Sequence, residues 1–182
     1  MAVQPPAGGG APRCAGSDLL ADLAQAFAPE RHRLFFVVSS DQVGERLQVL
    51  FAARGFARDQ VAFASPPFGF ETDAQASAEL AAAIRGHRAT HLIFGMGAPK
   101  SEVWIHRHRN ELGDLYACCF GSGADFLTGD ASRAPEAFRR AGLEWAWRVA
   151  HDPKRLWRRY FVDDLPALAV TAVSVIRGRL AA

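Results

Sequence analysis

Lysine, methionine, tyrosine and cysteine are all scarce in this 182-residue chain. Lys100 and Lys154 are the two lysines against 19 arginines, and with 34 alanines this skew reads as the mark of a GC-rich coding bias. The three cysteines, Cys14, Cys118 and Cys119, make an odd count, and neighbours such as the last two rarely pair. A disulfide scaffold is thereby excluded, and a reducing cytoplasm is expected. No apolar run approaches the roughly 20 residues of a membrane span. The longest, Leu165 to Ile176, is broken by Pro166, Thr171 and Ser174. Residues 1–16, with Pro5, Pro6, Gly8, Gly9 and Gly10, lack the apolar centre of a signal peptide and read as a flexible leader. Also missing are a D-x-D pair to hold a divalent metal on a diphosphate, a Walker A loop and a complete G-x-G-x-x-G.

What is present suits one soluble domain: hydrophobic residues make up 49% and charged residues 22%, which excludes disorder, collagen and coiled coil. The net charge of +2 conceals a division. Residues 1–132 carry 11 basic and 14 acidic side chains, net −3, whereas 133–182 carry 10 and 5, net +5.

Hydrophobic patterning predicts alternating helices and strands. Ser17 and Asp18 offer cap oxygens to a helix with Leu19, Leu20, Leu23 and Phe27 on one face, stopped by Pro29. Leu34 to Val38 is a continuous apolar run of strand length, the mark of a strand buried on both faces of a parallel sheet. A helix follows, capped by Ser39, Ser40 and Asp41 and presenting Val43, Leu47, Leu50 and Phe51. The rhythm continues with a strand at Val61 to Ala64, a helix over Thr72 to Arg85 and a strand at His91 to Phe94. Next come a helix capped by Ser101 and a buried strand at Tyr116 to Phe120. The expected fold is α/β: a parallel, Rossmann-like sheet of about four or more strands with helices on both faces. From Arg133 an all-helical basic tail follows, its last helix spanning roughly Leu165 to Leu180.

Ligands of such sheets sit beyond the carboxyl ends of the strands, which selects the loops Ser39–Asp41, Ser65–Phe70, Gly95–Lys100 and Gly121–Asp130. In Gly95-Met96-Gly97-Ala98-Pro99-Lys100, small residues let backbone amides approach a ligand, and a following helix N-terminus and Lys100 favour an anion. A plain tight turn is the alternative. Gly121-Ser122-Gly123-Ala124-Asp125 repeats the arrangement, with Asp125 either a partner for ribose or base hydrogen bonds or a helix N-cap. His106 and His108 fall on different faces of their helix and read as a solvated, charged surface; the remaining histidines give no zinc spacing. Cys118 and Cys119 read as small core hydrophobes.

In the tail, Trp145, Trp147, Trp157 and Tyr160 are interleaved with Arg139, Arg140, Arg148, Lys154, Arg155, Arg158 and Arg159. Arginines beside apolar anchors fit an anionic membrane surface better than nucleic acid, because the sheet region is acidic.

These residues resemble one family. Gly95 to Glu102, then Trp104-Ile105 and Arg107-His108-Arg109, are similar to the G-x-G-A-P-K-Q-E segment of the WecG/TagA/CpsF glycosyltransferases. Gly121 to Gly129, Arg133-Ala134-Pro135, Gly142 to Trp145, Arg148, Pro153 and Arg155 to Tyr160 follow that family's second half in order. Arg13 to Leu20 resembles its R-x-x-G-S-D-L-L start, and Ser39-Ser40 stands where two glycines are usual. The resemblance implies inverting, metal-independent transfer of a hexose or N-acetylhexosamine from a UDP-sugar to a polyprenyl-diphosphate-linked sugar. The work would be done peripherally at the cytoplasmic membrane face, in cell-surface polysaccharide synthesis and without a cofactor. By resemblance, Gly95, Gly97, Lys100, Ser101, Glu102, Gly121 and Asp125 bind the donor. Arg133, Arg155, Arg158 and Arg159 meet the acceptor diphosphate or lipid headgroups. Residues 17–132 would then be a nucleotide-sugar-binding domain and 133–182 its helical basic appendage. Family members place a catalytic Asp in an Asp-Gly segment near the N-terminus, upstream of the matched region; this chain has no Asp-Gly pair. The catalytic base is accordingly unassigned and an N-terminal catalytic segment is expected to be lacking. The alternative is a silent relative that binds a UDP-sugar or lipid diphosphate, completed by a second copy or a partner chain.

Overall fold

The computed structural model describes residues 16–129 together with 135, 138, 143–151 and 153. The chain divides into two compact units, Met1–Ser132 and Arg133–Ala182. In the first, α1 (Gly16–Ala26) leads to β1 (Leu34–Val37), α2 (Asp41–Ala52), β2 (Val61–Ala64), α3 (Ala74–His87) and β3 (His91–Phe94). It ends with α4 (Lys100–His108), β4 (Tyr116–Cys119) and the short α5 (Gly123–Leu127). In the second, α6 spans Glu144–His151, and the rings of Phe138 and Trp147 lie 5.3 Å apart. The remainder of the expected helical tail, including the Leu165 to Leu180 helix, lies outside the described residues.

All strand pairs are parallel, in the order β2-β1-β3-β4. Successive side chains of a strand point to opposite faces, and β1 uses both. Leu34 and Phe36, with Val38 beyond the strand, pack with Leu20, Ala24, Val43, Leu47 and Phe51 on the side of α1 and α2. Phe35 and Val37 pack with Leu80, Ile84 and Trp104 on the side of α3 and α4. A strand sandwiched between two helical layers cannot afford polar alternation, which is why LFFV is apolar throughout. Gly44 of α2 is a packing glycine: a Cβ there would overlap the Phe63 ring.

Several boundaries differ from the sequence expectation for local reasons. Helix α1 begins at Gly16, so Ser17 and Asp18 sit within its first turn and Gly16 is no part of a leader. Helix α3 is capped by Asp73, whose carboxylate accepts from the amides of Gln75 and Ala76. Helix α4 starts one residue before Ser101, with Pro99 at the cap position and no side-chain cap bond. Strand β4 lies, like β2, at an edge of the sheet and is not a buried strand: Tyr116 and Ala117 are exposed, and Cys118 and Cys119 half-buried.

Histidines and a salt-bridged arginine gather at the amino-terminal end of the strands. The rings of His32 and His91 are 5.1 Å apart, His91 stacks on Tyr116, and Arg33 reaches Asp59 at 3.2 Å. Burial, reinforced by His32, lowers the pKa of His91. This cluster lies at the end of the sheet opposite the loops selected above.

Candidate functional site

Because the strands are parallel, their four carboxyl-end loops share one edge of the sheet. The chain passes from β1 to β2 on one side and then crosses to β3 on the other. The β1/β3 gap is thus the topological switch point, where doubly wound sheets open a crevice for ligands.

The β3–α4 loop closes tightly on that gap. The Gly95 amide donates to the Val37 carbonyl at 2.7 Å. A Cβ at Gly95 would stand 2.9 Å from that oxygen and 3.3 Å from the Gly121 carbonyl, so only glycine lets the β1, β3 and β4 termini converge. Gly97 and Gly121 both have positive φ, 87° and 54°, and a Cβ on Gly121 would come to 3.9 Å from the Gly97 Cα. Around Gly97 itself a Cβ would meet nothing within 4 Å, leaving open space beside the loop backbone.

Side chains stitch the other loops to this centre. Ser39, after β1, donates from Oγ to Oδ1 of Asp125 at 2.9 Å, across 86 residues of sequence. Ser65, after β2, donates to Oδ1 of Asp41. Asp125 lies within the first turn of α5, whose cap position is Ser122, so the N-cap alternative for Asp125 does not hold. Lys100 brings its ammonium over the Phe68 ring, 5.7 Å from the centroid.

The structure thus brings Gly95, Gly97, Gly121 and Asp125 together and sets Lys100 at the rim beside the β2 loop. Glu102 is exposed in the first turn of α4. Ser101 takes a different part from the one expected. Fully buried, it donates from Oγ to the Gly97 carbonyl at 2.9 Å, bracing the loop from within. Arg133, Arg155, Arg158 and Arg159 lie outside the described residues. Sequence reasoning selected the loops of Ser39, Asp41, Ser65 and Phe68 without assigning these residues. The available signal was a large aromatic inside the Pro- and Gly-rich segment Ser65 to Gly69, where neither a helix nor a strand pattern buries it.

Two other candidates are settled by their surroundings. Burial, with Glu102 and Cys118 adding to it, pushes the Cys119 thiol up to about 11, which keeps it protonated and poorly nucleophilic near neutrality. His108 packs on Trp104 with ring centroids 4.6 Å apart and pairs with Glu111 at 3.3 Å. Among the described residues no group of three or more His, Cys, Asp or Glu side chains is arranged to hold a metal ion.

Glycine backbone, a lysine at the rim and a Ser39–Asp125 bridge between the β1 and β4 loops thus stand together at the carboxyl edge of the sheet, where parallel α/β folds bind ligands. The family model described as glycosyl transferase WecG/TagA/CpsF matches residues 7–180. The chain belongs to that family. It is 30% identical over 148 residues to the N-acetylglucosaminyldiphosphoundecaprenol N-acetyl-beta-D-mannosaminyltransferase of Bacillus spizizenii, covering 81% of this chain and 54% of that relative. A Staphylococcus aureus protein of the same name, from strain MRSA252, is 25% identical over 146 residues, covering 80% of this chain and 55% of its own length. Its counterpart in strain MW2 is 33% identical over 75 residues, 41% of this chain and 30% of the relative. The chain spans about half or less of the length of these curated relatives. No helix among the described residues is long and apolar enough to cross a membrane.

Proposed function

We propose that this chain transfers a hexose or N-acetylhexosamine from a UDP-sugar to a polyprenyl-diphosphate-linked sugar, in cell-surface polysaccharide synthesis at the inner face of the cytoplasmic membrane. The observation that carries this reading is the convergence of Gly95, Gly97 and Gly121 on the β1/β3 switch point beside Lys100. The relatives' names, which specify an N-acetylmannosaminyl group and a diphosphoundecaprenol-linked acceptor, support the sugar and lipid classes. In this reaction the bond from the sugar's anomeric carbon to the UDP oxygen breaks. A bond to the acceptor hydroxyl oxygen forms on the opposite face, the hydroxyl proton passes to a base, and UDP departs. Lys100 and the loop backbone meet the charge that builds on the departing diphosphate, where a preorganised cation counts most. In this reading Asp125, whose Oδ1 accepts from Ser39 Oγ, also accepts hydrogen bonds from the nucleoside. No metal or cofactor is required in this scheme. Arg133, Arg155, Arg158 and Arg159 meet the acceptor diphosphate and anionic headgroups.

A charge-assisted contact to phosphate contributes about 1.5–3 kcal/mol, so Lys100→Ala is expected to weaken UDP binding by roughly ten- to a hundredfold. Asp125→Ala is expected to weaken it too, by calorimetric titration. Undiminished affinity in both variants would remove the donor site from this edge of the sheet. For the tail, Arg155→Glu combined with Arg158→Glu is expected to lower co-sedimentation with anionic liposomes, and unchanged sedimentation contradicts the membrane role.

A second reading is favoured by one observation, the absence of any Asp-Gly pair. A general base contributes about 10²- to 10⁴-fold in rate; if these 182 residues hold none, they bind their ligands silently or act with a base from a further segment, a second copy or a partner chain. Release of UDP from UDP-N-acetylhexosamine in the presence of a polyprenyl-diphosphate sugar separates enzyme from binder.

A further inference from the structure

We infer that Phe68 is the stacking platform for the nucleobase of the donor, presented at the rim of the site beside Lys100. This rests on the donor-site reading above and adds to it a recognition element that no glycine or charged residue supplies. The Phe68 side chain is 99% exposed, whereas Phe70, two residues on, is completely buried against Phe94 and Trp104. A lone exposed apolar side chain is unremarkable in itself; the placement of this one is what distinguishes it.

Its loop is built to hold it out. Pro66 and Pro67 restrict the backbone ahead of it. Gly69 takes a left-handed conformation, φ 84°, immediately after it. The Phe70 amide donates to the Pro67 carbonyl at 3.2 Å, and the Thr72 amide and hydroxyl both donate to the Gly69 carbonyl at 2.9 Å. With Phe70 anchored below, the loop that follows β2 carries Phe68 out into solvent at the carboxyl end of that strand.

The second observation is the cation. The Lys100 ammonium lies 5.7 Å from the Phe68 ring centroid, so an aromatic face and a positive charge from two different loops form one surface. Such a pair recognises a ligand carrying a flat ring and a phosphate a short distance apart, which describes a nucleoside diphosphate. The ring and not the sugar is assigned to Phe68 because of depth. The reacting sugar must be screened from water, whereas the remote handle that supplies binding energy can rest at the rim. Stacking accepts any base, so Phe68 supplies affinity and leaves base discrimination to polar groups such as Asp125.

The test is calorimetric titration of the intact chain and its variants with UDP, with uridine and with inorganic diphosphate. Stacking of one base on an aromatic is worth roughly tenfold or more in affinity. Phe68→Ala is expected to weaken UDP by about that factor and to leave diphosphate unchanged, while Phe68→Trp retains UDP binding and shows quenched indole fluorescence when UDP is added. Lys100→Ala is expected to weaken UDP and diphosphate alike. If the unsubstituted chain binds UDP and Phe68→Ala binds it equally well, the platform is overturned while the donor site stands. If the unsubstituted chain binds no UDP, both are overturned. If Phe68→Ala leaves UDP untouched and lowers co-sedimentation with anionic vesicles, Phe68 is a membrane contact and the proposal is wrong. Thermal unfolding of each variant by circular dichroism checks that an exposed position has been changed without loss of the fold.

Discussion

Replacing Trp104 by alanine is expected to destabilise the sheet unit by about 3–5 kcal/mol, the cost of removing a buried aromatic and leaving its cavity. Trp104 is 1% exposed and packs against Phe70, Phe94 and His108 at centroid distances of 6.1, 5.4 and 4.6 Å. Its indole N–H donates to Ser77 Oγ at 2.9 Å, and that hydroxyl donates in turn to the Phe70 carbonyl at 2.8 Å. The substitution therefore removes packing and also opens a buried relay joining α4, α3 and the β2 loop. Against the ~5–15 kcal/mol that holds a typical domain folded, this is a large share. At a urea dependence of about 2 kcal/mol per molar, the unfolding midpoint should fall by roughly 2 M. An unchanged midpoint would show that Trp104 does not form part of the core. The same relay links the site's two rim loops, because Phe70 anchors the loop of Phe68 and α4 begins with Lys100. UDP binding should thus weaken in this variant even under conditions where it remains folded.

Gly95→Val is expected to have the largest effect on the site itself. The obstacle to a Cβ at residue 95 is backbone oxygen, from Val37 and Gly121, and not the end of a flexible side chain. Neither carbonyl can retreat without disturbing strand β1 or the start of the β4–α5 loop. A branched side chain there should cost about 1–3 kcal/mol in strain. It should also break the 2.7 Å bond between the Gly95 amide and Val37 and splay the two glycine loops apart. The predicted outcome is loss of UDP binding by more than about tenfold with a smaller loss of stability than Trp104→Ala. Gly86→Val offers a comparison in α3, since a Cβ there meets nothing within 4 Å. It should leave UDP binding intact.

Most of the architecture is legible in the sequence, for a physical reason. A strand covered on both faces must be apolar throughout, as central LFFV is; VAFA, at the other edge and half-buried beyond Val61, and HLIF, buried beyond His91, are recognisable as strands between helices with one apolar face. The same signal misleads at β4, since YACC is equally apolar. Whether a strand is central or at an edge depends on strand order, and hydrophobicity does not encode order. The helix starts show a similar limit: Ser101 has the chemistry of a cap, yet its hydroxyl is drawn inward to the Gly97 carbonyl.

The site divides along the same line. The glycine loops and Lys100 are readable because small residues and a cation after a buried strand are local features. The Ser39–Asp125 bridge and the Phe68–Lys100 pair are not, since each joins loops far apart in the chain. They become neighbours only because β1 lies between β2 and β3 and because β3 pairs with β4.

The central claim is that the donor binds at the carboxyl edge of this sheet, over the β1/β3 gap. The most direct test is to record amide chemical shifts of the labelled chain while UDP is added. The account predicts saturable shifts concentrated at Ser39, Gly95, Gly97, Lys100 and Gly121, with Arg33, Thr90 and Tyr116 at the opposite end of the strands undisturbed. Shifts centred on those three residues, or on the α2–α5 groove lined by Val49, Leu50 and Leu127, would contradict it.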